Sequence, residues 1–393
     1  MRRISFQRCH RHRQATSRGL TLAETATGLA LGGVGLSVLA VTSGAGIAHR
    51  QGFQSMSNLM ALDEGHHAYA MDHEGRQWSP APDDMDACDG DINCYTSTIG
   101  CVDSLLMGED AEGLLWGLWI GGDLCKINAP GYSGAWQFYF EIFFSPYDLA
   151  GPEGDEMQGS RLFYNARGFR EYVSDSTFDP VFFQPGTLDA SLAAAVHDEE
   201  IEFAGPYHPR IPGQQNLMQP GYSLSASALW GVDVHRAASA GGWQDPRDTP
   251  GGYAAPTVDQ CLSPDLKTRM VERWWIDGAP SRFHPELGRQ EIDGRNQVPV
   301  GRPGQHWLFN QGHEASSLAL FFDGSVAAVR SGDAWLDDLV HQASTGGDGL
   351  WSRDTPMGED GMLGEYGVDA FTSFHVLTTD GIRGRDFLSR RDG

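Results

Sequence analysis

Charge along this chain is partitioned, and the partition limits what the chain can fold into. Residues 1–18 carry Arg2, Arg3, Arg8, Arg11, Arg13 and Arg18 and no acid. Residues 20–48 carry one charge, Glu24. The formal net charge of −24 therefore averages two unlike parts. Without the leader arginines, 22 basic side chains face 52 acidic ones, a net of −30. A basic start, an apolar stretch and an acidic remainder is the pattern of an exported chain whose basic end stays in the cytoplasm. So acidic a body makes a poor general binder of nucleic acid, because phosphates would approach against its field. With 40% hydrophobic and 20% charged residues, the chain is neither disordered nor wholly embedded in a membrane. Its 50 glycines follow no Gly-X-Y period, which excludes collagen and predicts many turns and long connections.

Between Glu24 and His49 lie 24 residues without formal charge. As a helix they span about 36 Å, against about 30 Å for a bilayer core. Gly28, Gly32, Gly33 and Gly35 give this stretch the small faces that let helices pack closely. The other reading is a secretory signal cut near Ala48.

Arg18-Gly19-Leu20-Thr21-Leu22-Ala23-Glu24 resembles the cleavage site of type IV prepilins and pseudopilins. In that resemblance Gly19 precedes the cut, Leu20 is the first mature residue and carries the methylated amine, and Glu24 is the fifth. The family's usual first residue is Phe, and Ala23 replaces a larger aliphatic. A lone carboxylate entering a membrane is expensive unless paired. The resemblance implies the amine of a neighbouring subunit as its partner, and the first turn of a helix also favours a negative charge.

Residues 50–72 continue the helical pattern, with Met56, Leu59, Met60, Leu62, His66, Tyr69 and Ala70 at three-to-four spacing. The helix is expected to break at Asp72-His73-Glu74-Gly75. Asn58-Leu59 through Asp72-x-x-Gly75 also resembles the stretch just after the membrane segment in bacterial prepilin-like proteins. His66, His67 and His73 form no His-Glu-x-x-His motif and read as exposed helix positions rather than metal ligands.

Residues 83–103 are an acidic loop in which Asp86, Asp89, Asp91 and Asn93 cluster oxygens of the kind Ca²⁺ takes, without the EF-hand spacing. The alternative is a solvated acidic turn. No other cofactor is implied. Cys88, Cys94, Cys101, Cys125 and Cys261 follow the leader, and Cys9 lies within it. One or two disulfides within 88–125 suit an oxidising compartment, and the odd count leaves Cys261 as the natural free thiol.

In the body, Trp136–Phe144 reads as a buried strand, and Ser160–Val173, Leu188–Val196 and Pro264–Trp275 read as helices. Tyr222–Trp230 reads as a strand, and residues 276–305 as Gly/Pro-rich loop. Leu318–Arg330 reads as a hairpin around Asp323-Gly324, a type I′ turn signal. A short helix over 333–342 is expected to turn Trp335, Leu336, Leu339 and Val340 inward, with Asp333 as N-cap. Asp380-Gly381 marks a last hairpin. His313, nine residues and then Asp323-Gly324 resembles the H-X9-DG motif of many prepilin-like proteins of planctomycete-type bacteria.

The expected fold is α+β: a long N-terminal transmembrane helix packed on an antiparallel β-sheet head with large loop-rich insertions, as in pilins. The expected parts are a leader (1–19), a transmembrane helix (20–48), its continuation and exit turn (49–80), and an extracytoplasmic head (81–393) holding the H-X9-DG region (305–330). The resemblance implies a single-pass structural subunit of a type II secretion or type IV pilus-like system. It would sit in the inner membrane with its head in the periplasm or on the cell surface. Its partners would be the prepilin peptidase/methyltransferase, membrane lipid and other pilin-like subunits. Neither G-x-S-x-G nor a P-loop occurs, and no enzyme is inferred. The alternatives are an exported, anchored carbohydrate- or peptide-binding module, or an exported enzyme borrowing a pilin-type anchor.

Overall fold

The computed structural model describes residues 44–79, 106–113, 115–120, 135–138, 149–150, 156–157, 164–205, 208–211, 218, 220–244, 249–272, 288–292, 296–300, 316–351, 374–375 and 378–390. The chain divides into two compact units, Met1–Arg50 and Gln51–Gly393. The leader, Gly19, Leu20, Glu24, the 83–103 loop with Asp86, Asp89, Asp91 and Asn93, and His313 lie outside the described residues.

The first element is a long helix, α1 (Gly44–Asp72, 29 residues), about 44 Å at the ordinary rise. It stops where the sequence predicts. Glu74 and Gly75 take left-handed φ values of 56° and 83°, and the Gly75 amide donates back to the Ala70 carbonyl at 2.7 Å. Such a reversal satisfies carbonyls the helix end would leave bare. Among the described residues no helix is long and apolar enough to cross a membrane; the 20–43 stretch lies outside them.

Five short strands come next: β1 (Leu106–Glu109), β2 (Leu115–Ile120), β3 (Ala135–Phe138), β4 (Leu149–Ala150) and β5 (Glu156–Met157). β1 pairs antiparallel with β2, β2 parallel with β3, and β4 antiparallel with β5. Beyond them lie the single turn α2 (Arg167–Arg170) and the helix α3 (Leu188–His197). The expected helix over Ser160–Val173 is thus only one turn. Ala166 is extended just before it; Tyr164 and Ala166 enter the core from irregular backbone, and Phe169 from the turn itself. α3 forms as expected, its first turn capped by Thr187, whose hydroxyl accepts from the Ala190 amide at 3.1 Å.

The central sheet holds β6 (Tyr222–Leu224), β7 (Thr268–Glu272), β10 (Ser316–Phe321) and β11 (Val326–Arg330), all antiparallel, in the order β11-β10-β7-β6. Between them in sequence lie β8 (Gly288–Ile292) and β9 (Asn296–Val300), a hairpin where only loop is expected. The strand expected over Tyr222–Trp230 ends at Leu224 and gives way to a 3₁₀ turn at Ala226–Ala228.

β7 corrects the helix expected over Pro264–Trp275. Lys267 through Glu272 are all buried, and Lys267, Arg269 and Glu272 are among them. Its charges imitate the polar face of a helix, but each has a partner inside. The register against β10 slips by one residue at Arg269, since Thr268 faces Phe321 while Met270 faces Leu320. A bulge of this kind re-aims a side chain.

The last helix, α4 (Ser331–Thr345), continues directly from β11, with Asp333 in its first turn and Arg330 at the N-cap position. Its inward face is not the expected one. Leu336 and Val340 are exposed, whereas Ala334, Asp337 and Asp338 are buried. The two aspartates point inward because they accept backbone amides there: Asp337 from Leu388 at 2.9 Å and Asp338 from Leu350 at 2.7 Å. Asp380-Gly381 turns the chain with both residues left-handed, but leads into a 3₁₀ turn at Gly381–Arg383 rather than a hairpin.

Candidate functional site

Of the residues singled out in the sequence, Asp323 and Gly324 fall within the described structure, and they lead to the place where α1 meets the central sheet. Leu59 and Leu62 of α1 are fully buried in a core shared with Tyr222, Met270 and Leu320. Around this apolar contact α1 also buries Ser55, Asn58 and Asp63, while Met60 of the expected apolar face is half exposed. The buried face is thus rotated toward the polar residues.

Each of them is a pin. Ser55 Oγ donates to Glu272 Oε1 at 2.5 Å, and Glu272 Oε2 accepts from the Leu318 amide at 2.9 Å and from Ser317 Oγ at 3.0 Å. One carboxylate therefore ties α1, β7 and β10 together. Asn58 Nδ2 lies 3.2 Å from the Pro180 and Phe183 carbonyls and from the Tyr222 hydroxyl. Burial pushes the Tyr222 phenol well above its ordinary pKa, so it stays protonated. Asp63 Oδ1 accepts from Arg269 Nη1 at 2.6 Å, and the guanidinium sits 4.8 Å from the Phe322 ring centroid. Burial draws Arg269 below its ordinary pKa while Asp63 opposes that shift.

The Asp323-Gly324 turn closes on the same point. Gly324 alone of the pair is left-handed (φ 79°), its amide donates to Phe321 at 3.0 Å, and Phe321 donates to Ser325 at 2.9 Å. This is a type I turn followed by a left-handed glycine, not the expected type I′. A side chain at 324 would also press on α1, because a Cβ there would lie 2.8 Å from Asp63 Oδ2. Asp323 Oδ1 accepts from the Ser325 amide at 3.0 Å and from Arg390 Nη2 at 3.2 Å. Arg390 lies over the Phe321 ring at 4.1 Å and donates to the Asp265 carbonyl at 2.7 Å. Partial burial works against the Asp323 carboxylate, but Ser325 and Arg390 outweigh it and hold its pKa below the usual value.

His66 corrects the expectation of an exposed helix position. It is buried, its ring 4.3 Å from that of Phe169, and neither ring nitrogen has a hydrogen-bond partner. Burial, with Arg269 and His67 adding, holds it well below its ordinary pKa and so neutral. His67 and His73 are exposed as expected. Among the described residues no group of three or more His, Cys, Asp or Glu could hold a metal ion. Cys261 is a free thiol.

A second polar cluster lies at the start of β7. Lys267 and Asp386 are both fully buried, with Nζ 3.6 Å from Oδ2. Nζ donates to Ser225 Oγ at 2.7 Å, to Ser227 Oγ at 3.2 Å and to Thr378 Oγ1. Thr378 donates to Asp386 Oδ1, and the Thr268 amide donates to Asp386 Oδ2 at 2.8 Å. Burial lowers the Lys267 pKa and raises that of Asp386, each partly offset by the other. His235 nearby is pulled down to about 3 by burial, with Lys267 adding. The sequence carried one faint signal of this cluster: Lys267 is one of only two lysines in the chain.

Ser55, Asn58, Asp63, Glu272 and Tyr222 at the α1 contact are taken up by one another and by the backbone, while the His66 ring nitrogens and the Arg269 Nε and Nη2 are buried without a hydrogen-bond partner. Chemically, the arrangement fixes the rotation and height of α1 against the sheet. No protein-family model, curated protein or solved structure matches the chain.

Proposed function

We propose that the chain is a membrane-anchored, pilin- or pseudopilin-like structural subunit of a type II secretion or type IV pilus-like system. In this reading a prepilin peptidase/methyltransferase cuts after Gly19 and methylates Leu20. The segment 20–48 anchors the protein in the inner membrane, and Glu24 pairs with the amine of a neighbouring subunit. The head is extracytoplasmic, and the subunit itself catalyses nothing.

The observation that carries the reading is the junction of α1 with the sheet. The helix that continues the proposed anchor buries Leu59 and Leu62 and is pinned through Ser55, Asn58 and Asp63 to β7, β10 and the Asp323-Gly324 turn. Such pinning suits a helix through which load passes between an anchor and a head. It also supplies a physical reason for the Asp-Gly pair, the motif that resembles prepilin-like proteins. Replacing Gly19→Ala tests the reading. The leader should stay on, and a heavier precursor should accumulate in the membrane. Normal processing of that variant would contradict it.

A further inference from the structure

We propose that Lys267 and Asp386 are joined by an intramolecular isopeptide bond that the folded protein forms from its own side chains. The two groups are fully buried and 3.6 Å apart, beyond the 2.7–3.2 Å of a direct N–H···O bond. They are held beside each other, each with closer hydrogen-bond partners of its own. A separated charge pair in such a place is costly. Burial moves both groups toward their neutral forms, a free amine and a free acid, which are the forms that condense.

The surroundings supply the other parts of an acyl transfer. Thr378 accepts from Nζ and donates to Asp386 Oδ1, a one-hydroxyl relay between amine and carboxyl. A proton passing from Nζ through Thr378 to Oδ1 leaves the amine neutral and the carboxyl protonated. Ser225 and Ser227 hold the amine hydrogens, so its lone pair is free for Cγ. As nitrogen attacks Cγ, the carbonyl electron pair moves onto Oδ2, where the Thr268 amide already donates at 2.8 Å. A second proton takes the same relay from nitrogen to Oδ1, the Cγ–Oδ1 bond breaks, and one water leaves. The Nζ–Cγ bond replaces the Cγ–Oδ1 bond, nothing is oxidised or reduced, and two buried charges become one amide. The link joins the central strand to the C-terminal segment, which also reaches α4 through Leu388 and the hairpin tip through Arg390.

The test is peptide mapping of the full-length protein, from a sample that unfolds cooperatively. Trypsin should fail to cut after Lys267 and should yield peptide 248–269 joined to peptide 386–390, lighter by one water than their sum. Lys267→Arg and Asp386→Ala should each abolish that species. Thr378→Val should slow its appearance after refolding. Complete cleavage after Lys267 once wild-type protein taken from the folded state is denatured and digested, with peptide 386–390 free, would overturn the proposal without recourse to any variant.

Discussion

The two ends of β7 handle buried charge in different ways. At one end Arg269 and Glu272 reach α1, and each works through a partner that a strand or helix already places there. Asp63, the acid of that pair, keeps some exposure, with 12% of its side chain accessible. At the other end Lys267 and Asp386 are wholly enclosed among hydroxyls. The first arrangement is made of separate hydrogen bonds and one ion pair. The second is sealed, with the C-terminal segment tied to the start of β7 inside the fold. The lesson is that α1 is held by a junction of separable contacts, whereas the C-terminal segment is held by an enclosed one.

The largest effect is expected where the enclosure is complete. Lys267→Ala removes the amine and with it the proposed link, leaves the Asp386 carboxyl buried without either, and should cost about 4 kcal/mol. Asp63→Ala leaves Arg269 buried without its acid, yet the guanidinium keeps the Phe322 ring, and the loss should be about 3 kcal/mol. Equal costs in denaturant titration would erase the contrast between the two ends.

Gly324→Ala sharpens the account of the junction. It should cost about 2 kcal/mol, part from the left-handed backbone and part from the clash with Asp63. In an Asp63→Ala background the clash part disappears and about 1 kcal/mol should remain. Strict additivity in the double-mutant cycle would mean that the turn does not bear on the helix.

Away from β7, Glu202 takes hydrogen bonds from Arg167 at 2.6 Å, from Arg170 and from the Glu109 amide at 2.9 Å. Burial works against its charge, but these donors win and its pKa falls below the ordinary 4.5. A depressed carboxylate stabilises the fold above the unfolded pKa and loses that contribution as pH falls through the folded one. Glu202→Gln should therefore cost about 1.5 kcal/mol at neutral pH. The gap to wild type should begin to close as pH drops through 4.5 and continue to close below it. A gap independent of pH would assign the effect to packing. The smallest change is Thr187→Ala, which removes the α3 cap at about 1 kcal/mol in thermal unfolding.

What the sequence made legible was punctuation. Glu74-Gly75 ends α1, and Asp323-Gly324 turns the hairpin, because left-handed residues at those points have few alternatives. What stayed hidden was the direction of charged side chains. β7 reads as a helix because Lys267, Arg269 and Glu272 look solvated, and only the fold supplies their partners from residues far away in sequence. The same blindness turned α4 around, since Leu336 and Val340 look like core and Asp337 and Asp338 do not. On α1 the residues that matter to the junction, Ser55, Asn58 and Asp63, carry no apolar signal at all. The β8–β9 hairpin does carry a sign, Asp293-Gly294 between its strands, which the surrounding Gly/Pro-rich run masks.

The central claim, that α1 continues an anchor of the prepilin type, is tested most directly by the N-terminus of the mature protein. Mass spectrometry of the mature protein should find a chain that begins at Leu20 with a methylated amine. A chain that begins near His49 would contradict the claim and leave a freely secreted protein in its place.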